Sequence, residues 1–176
     1  MHLILTGMMG SGKSSVGRRL GAALTARFLD LDEMIVDSFT MSITDVFKKL
    51  GEEAFRQREE ELMLSLAATE ESIVLALGGG SVLSERGMNA LKKVGRVVYL
   101  RARVSSLARR LIRSKHNLPL VAEESDLEAR LTSILKVRQD LYTGYADFSV
   151  DADDMTPNQV AAHIAAWWKE GQQSEL

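Results

Sequence analysis

Gly7-Met8-Met9-Gly10-Ser11-Gly12-Lys13-Ser14 follows the apolar Leu3-Ile4-Leu5 and leads straight into a helical pattern. This strand, G-x-x-x-x-G-K-[ST] turn and helix constrain the fold more than any other stretch of the chain. Glycines let successive backbone N–H groups turn inward around a phosphate, and the N-terminus of the next helix adds the positive end of its dipole. Lys13 is then placed to reach the β and γ phosphates of a nucleotide, and the Ser14 hydroxyl to ligate Mg2+.

The rest of the chain agrees with that beginning. Five β-type runs, His2 to Thr6, Arg27 to Leu31, Ile73 to Leu77, Val97 to Leu100 and Phe148 to Val150, alternate with helical periodicity. That is the pattern of βαβ units around a mainly parallel sheet, most strands being apolar enough to be covered on both faces. Helical core stripes are read at Val16, Leu20, Ala23 and Leu24, and at Val104, Leu107, Ala108, Leu111 and Ile112. A third helix opens on the capping box Ser125-Asp126-Leu127-Glu128 and presents Leu127, Leu131, Ile134, Leu135, Leu141, Tyr142 and Tyr145. Arg138 falls on that same face, where the pattern asks for an apolar group. Two excursions break the alternation, the mostly helical Glu33 to Thr69 and the polar Ser114 to Glu124. At 176 residues one domain with one sizeable core is expected.

The 22 basic side chains nearly cancel the 24 acidic ones, leaving a net charge of -2, which argues against nucleic acid or an anionic membrane as partner. An anionic ligand must be held by local arrangement, and residues 101 to 115 carry Arg101, Arg103, Arg109, Arg110, Arg113 and Lys115 with no acid among them. The absence of cysteine removes disulfides, thiolate metal sites and cysteine nucleophiles. His2, His116 and His163 lack ligand-spaced partners, which speaks against a histidine metal site. No apolar run approaches the roughly 20 residues of a membrane helix. Met1-His2-Leu3-Ile4-Leu5 lacks the features of a signal peptide, so a cytoplasmic location is expected.

Other residues bear on which nucleotide protein this is. There is no NKxD-type guanine motif, and the strand that would end in an acidic pair in a larger ATPase ends here in Gly78-Gly79-Gly80. Glycines at the carboxyl end of a strand suit a ligand lying against the backbone, with a plain loop as the competing reading. Asp30 and Asp32, two apart at the end of the second strand, are expected to project to one side. One can hold Mg2+ through water and the other accept a proton from an attacking hydroxyl, unless both are solvated turn residues. Arg56 and Arg138 can clamp a carboxylate, each charged hydrogen bond contributing roughly 1.5 to 3 kcal/mol. Pairing of Arg56 with Glu59 or Glu60 on its own helix is the alternative.

With these residues in view, the chain resembles the shikimate kinase family of small P-loop kinases. The resemblance covers nearly the whole chain: the GMMGSGKSS loop, Phe28-Leu29-Asp30-Leu31-Asp32, Asp45-Val46-Phe47, Gly51-Glu52-Glu53-Ala54-Phe55-Arg56, Leu77-Gly78-Gly79-Gly80 and Val137-Arg138-Gln139-Asp140-Leu141-Tyr142. It implies a three-layer α/β/α fold with a five-stranded parallel sheet in 2-3-1-4-5 order. It also implies a single kinase domain over residues 1–176, a helical substrate-binding insert near 33–61 and a lid near 112–124. The implied substrates are ATP and shikimate with Mg2+ as cofactor, and the implied products are ADP and shikimate 3-phosphate, a step toward chorismate and the aromatic amino acids. A monomer is implied as well.

Carried over by position, the resemblance puts Gly10, Ser11, Gly12, Lys13, Ser14 and Ser15 around the ATP phosphates, with Ser14 and Asp30 serving the metal. It makes Asp32 the residue on the substrate hydroxyls and the base for the attacking alcohol. Arg56, Arg138, Gly78, Gly79 and Gly80 would hold shikimate, both arginines on its carboxylate, with Phe47 and Phe55 packing its ring and Glu59 orienting the arginines. Arg110 and Pro157 would lie by the adenine. The family's lid carries an arginine directly before Pro-Leu, where this chain has Leu118-Pro119-Leu120. A phosphate-clamping arginine supplied as a finger is worth about 10³ to 10⁵ in rate. Either a neighbour replaces it, Lys115 being preferred over Arg113 and His116, or turnover is weak. Two alternatives stay open: a kinase of the same fold for another small hydroxy acid or a nucleotide, and a binding protein that keeps the ligand sites without turnover.

Overall fold

Every residue of the first strand, β1 (His2–Thr6), is buried, and alternate side chains point opposite ways. Leu3 and Leu5 therefore join one apolar cluster and Ile4 another. A strand apolar on both faces belongs in the middle of a sheet covered on both sides, and β1 lies there. The computed structural model describes residues 1–114 and 127–173. Within them β2 (Arg27–Asp30), β3 (Ile73–Ala76), β4 (Gly95–Arg101) and β5 (Phe148–Asp151) complete a sheet in the order β2-β3-β1-β4-β5. All pairings are parallel, with Ile4 level with Leu75 on one side and Val97 on the other.

Helices α1 (Lys13–Leu24) and α8 (Pro157–Gln173) supply Val16, Leu20, Val160, Ile164 and Trp168 to the cluster that contains Leu3, Leu5, Val98 and Leu100. Ile4, Leu75, Val97 and Tyr99 belong to the other cluster. Into it come Ile35 of α2 (Leu31–Phe39), Val46 of α3 (Ile43–Lys49), Met63 of α4 (Gly51–Ala67), Met88 of α5 (Glu85–Val94), Leu107 of α6 (Val104–Ser114) and Leu131 of α7 (Leu127–Tyr145). Because all strands run the same way, the segments following them emerge along one edge of the sheet. That edge is where open α/β sheets bind ligands, and β1 is the point from which the order runs outward on both sides.

The structure moves some boundaries. β2 and β3 end one residue before the pattern suggests. For β2 the cause is local: the Asp30 side chain accepts the Asp32 N–H at 3.1 Å, capping α2 and drawing Leu31 into the helix. Ala23 and Ile112, both read as core, are exposed. The buried face of α1 runs instead through Gly17 and Gly21, which abut Phe28 and which an apolar stripe overlooks. At 100° per residue Ile112 sits about 80° round from Val104, at the rim of the α6 stripe. Among the described residues, no helix is long and apolar enough to cross a membrane.

Candidate active site

The loop after β1 is shaped by its glycines. Gly12, at φ 98°, caps α1, and Gly10 has φ 79°, in the left-handed region that glycine enters at little cost. Lys13 is 9% exposed and donates to the carbonyls of Gly7 at 2.8 Å and Met8 at 3.0 Å. Burial brings its ammonium down to about 8; Asp32 and Asp30 resist the fall and Arg138 adds to it. The Ser11 hydroxyl is buried with no hydrogen-bond partner among the described residues, which makes it a free donor inside the loop. Ser14 is half-buried at the second position of α1, whereas the Ser15 hydroxyl is engaged by Arg19 Nη1 at 2.9 Å.

Asp30 is buried at the end of β2, and Asp32 lies in the first turn of α2. Strand alternation therefore does not set their relation. A helix cap does, with Asp30 Oδ1 accepting the Asp32 backbone N–H. Desolvation raises the Asp32 carboxyl to about 6; Lys13 and Arg56 oppose the rise, and Asp30 and Glu59 add to it. Among the described residues, no group of three or more histidine, aspartate or glutamate side chains could hold a metal by itself. A hydroxyl and one buried carboxylate beside a phosphate loop are hard oxygen donors. They suit Mg2+, which keeps several waters and completes its shell on phosphates.

In the glycine run after β3, Gly78 and Gly80 have side chains of this chain against them, and Gly79 has the backbone of the loop after β1. A β-carbon built on Gly78 would stand 2.7 Å from Asp32 Oδ1 and 3.0 Å from Glu59 Oε1, and one on Gly80 would stand 2.5 Å from both terminal nitrogens of Arg56. Arg56 donates to Glu59 Oε2 at 2.7 Å, reaches Glu52 at 3.4 Å, and lies 5.1 Å over the Phe55 ring, itself 4.8 Å from Phe47. The reading of Arg56 as paired with Glu59 on its own helix is observed.

Arg138 is buried on the apolar face of α7, where its Nη1 donates to the Gly79 carbonyl at 3.0 Å. The Tyr142 hydroxyl donates to the same carbonyl. Glu59 consequently holds Arg56, while Arg138 is held by the Gly79 carbonyl. Two polar groups here escaped the sequence reading. Ser81, fully buried, donates to Glu59 Oε1 at 2.6 Å, and its place directly after the glycines was the available signal. Tyr142 stands one helical turn after Arg138, though it reads as plain core.

Farther along the edge, Arg110 donates to the Ala152 carbonyl at 2.6 Å and makes long contacts of 3.5 Å to the carbonyls of Gly10 and Ser11. Pro157 is exposed at the start of α8. Of the basic run, Arg103 is tied to Asp153 and Asp154, while Arg109 and Arg113 are exposed. Lys115, His116, Leu118, most of the expected lid and the Ser125 cap lie outside the described residues.

A family model described as shikimate kinase matches residues 9–169. The chain belongs to the shikimate kinase family. Curated shikimate kinases similar to it include that of Thioalkalivibrio sulfidiphilus, 38% identical over 168 residues that span 96% of this chain and 87% of the relative. The shikimate kinase of Thermodesulfovibrio yellowstonii is 39% identical over 163 residues, 93% of this chain and 92% of the relative. Among solved structures, the shikimate kinase from Acinetobacter baumannii in complex with shikimate superposes with a TM-score of 0.89 at 32% identity, covering 97% of this chain and 93% of that one. The sheet order described above is the one expected of a shikimate kinase fold.

Proposed function

We propose that the chain transfers the γ-phosphoryl group of ATP to the 3-hydroxyl of shikimate, giving ADP and shikimate 3-phosphate on the route to chorismate and the aromatic amino acids. The observation that carries the reading is the setting of Asp32. Its carboxyl, raised by burial to about 6, interacts with Lys13 of the phosphate loop and with Arg56 at the glycine run. A group so placed can serve a reaction between a phosphate and an anionic alcohol.

In this reading Gly10, Ser11, Gly12, Lys13, Ser14 and Ser15 surround the phosphates, and Arg110 and Pro157 lie by the adenine. Ser14, and Asp30 through water, would hold Mg2+, which supplies charge neutralisation on the β and γ phosphates. Arg56 and Arg138 take the shikimate carboxylate. Phe47 and Phe55 meet its ring, and the backbone of Gly78-Gly79-Gly80 runs beside it. Asp32 accepts the proton of the 3-hydroxyl as its oxygen bonds to the γ phosphorus, and the bond from that phosphorus to the β–γ bridging oxygen breaks. Lys13 stays with the oxygens of the departing ADP. Alignment of the two reactants is the main contribution asked of the protein. We take a cytoplasmic monomer as the working unit.

The test is ADP release with and without shikimate. Release that depends on shikimate, with a 3-phosphate product, supports the reading; release indifferent to shikimate points to another hydroxy acid. Leu118 favours one second reading, a ligand-binding protein without turnover, which would bind both substrates tightly and release no ADP. We take Lys115 to supply the missing lid charge, so Lys115→Ala should lower kcat with little change in ATP affinity. An unaltered kcat would remove Lys115 from that role.

A further inference from the structure

We propose that Ser81 is a positioning residue for the substrate carboxylate, acting through Glu59 on Arg56, an inference that rests on the assignment of Arg56 to that carboxylate. Ser81 opens the short 3-10 turn Ser81–Leu83 directly after the glycine run and is fully buried. Its backbone N–H donates to the Gly78 carbonyl at 3.2 Å, so the turn that carries the hydroxyl is itself anchored. The hydroxyl donates to Glu59 Oε1 at 2.6 Å, and Glu59 Oε2 accepts from Arg56 Nη1 at 2.7 Å. Glu59 is 1% exposed, so its carboxylate lies out of reach of bulk water.

The last torsion of a glutamate is broad and roughly two-fold. One partner leaves the carboxylate plane free to swing, whereas donors on both oxygens fix it. The plane of Glu59 then fixes the guanidinium, which has the Gly80 backbone against it and the Phe55 ring beneath. A second observation shows why the hydroxyl is needed. Asp32 Oδ1, Glu59 Oε1 and Ser81 Oγ converge on one point, lying 2.7, 3.0 and 3.2 Å from where a β-carbon on Gly78 would be. Two carboxylate oxygens lie near that spot, and the Ser81 hydroxyl donates to one of them, Glu59 Oε1. Without it Glu59 Oε1 faces Asp32 bare, Glu59 turns away from like charge, and Arg56 moves with it.

A hydroxyl that only closes a turn would change stability without discriminating between substrates. Steady-state kinetics on Ser81→Ala and Ser81→Thr, with shikimate and with its carboxamide analogue, separate the two cases. Loss of a charge-assisted hydrogen bond in the chain predicts a rise of about tenfold in the shikimate KM of Ser81→Ala. The ATP KM should stay within about twofold, and Ser81→Thr, which keeps the hydroxyl, should recover most of the loss. Wild type and Ser81→Ala should bind the carboxamide equally, because it lacks the charge that Arg56 reads. In a Glu59→Gln background Ser81→Ala should add nothing further, the mark of two residues acting in series. If Ser81→Ala does not fold, Glu59→Gln alone asks the same question from the other end of the bond and should raise the shikimate KM selectively. An unchanged shikimate KM, an equal rise in the ATP KM, or an equal penalty on the carboxamide overturns the proposal. Wild type without shikimate-dependent ADP release overturns the assignment beneath it.

Discussion

Lys13 and Asp32 are each moved toward neutrality by the same cause, burial, which lowers the ammonium to about 8 and raises the carboxyl to about 6, while their mutual attraction resists both shifts. The signs give a pH profile. In its proposed role as base Asp32 must be ionised, so activity is expected to fall as pH drops through about 6. Lys13 neutralises phosphate only when protonated, so activity is lost as pH rises through about 8. The ratio kcat/KM for ATP, which reports the free enzyme, is expected to be bell-shaped with limbs near those values. In kcat the basic limb should move upward, since bound phosphate holds the Lys13 proton. Asp32→Asn is expected to lower kcat by about 10² to 10⁴ and to abolish the acid limb, with ATP affinity by calorimetry unchanged. An acid limb that persists in Asp32→Asn would assign the titration to another group.

At the scale of elements, what a local pattern encodes was legible and what a distant contact decides was not. The β1-loop-α1 unit could be read because its backbone demands glycine at fixed places, and Arg138 stood out because a cation interrupts an apolar face. The end of β2 was misread because one side-chain cap at Asp30 outweighs the β-type character of Leu31. The strand order came from family resemblance, since alternation alone gives a parallel sheet without its sequence of neighbours. Tyr142 shows the limit: its partner, the Gly79 carbonyl, is 63 residues away, and no periodicity announces it. That bond ties α7, which carries Arg138, to the glycine run. Tyr142→Phe leaves the carbonyl with Arg138 as donor, so the fold should persist with a loss of about 1 kcal/mol, or roughly 2 to 4 °C in a chain of this size. The guanidinium, now sole donor to that carbonyl, should be less available, and the shikimate KM is expected to rise several-fold in steady-state assays. An unchanged KM would separate the tyrosine from the arginine.

For the molecule as a whole, β1 lies at the centre of a sheet whose strands β1, β3 and β4 each contribute to both cores. Its Leu3 and Leu5 pack with α1 and α8, while Ile4 packs in the cluster fed by α2, α4 and α7, the helices that bear Asp32, Arg56 and Arg138. A nucleotide on the loop after β1 therefore touches the junction of both. It binds the native state only, and at a hundredfold excess over Kd that linkage adds about 2.7 kcal/mol of stability. For a chain of this length the melting temperature should rise by about 5 to 10 °C. Chelating Mg2+ with EDTA should remove part of the shift on the proposal that Ser14 and Asp30 would hold the ion. Lys13→Ala should remove most of the rest. It should also lower the melting temperature of the ligand-free protein, because the carbonyls of Gly7 and Met8 lose the ammonium that bonds them. Thermal melts of wild type and Lys13→Ala, with and without Mg-ADP, read all of this in one series. An equal ADP shift in the two proteins would mean that the nucleotide binds away from this loop.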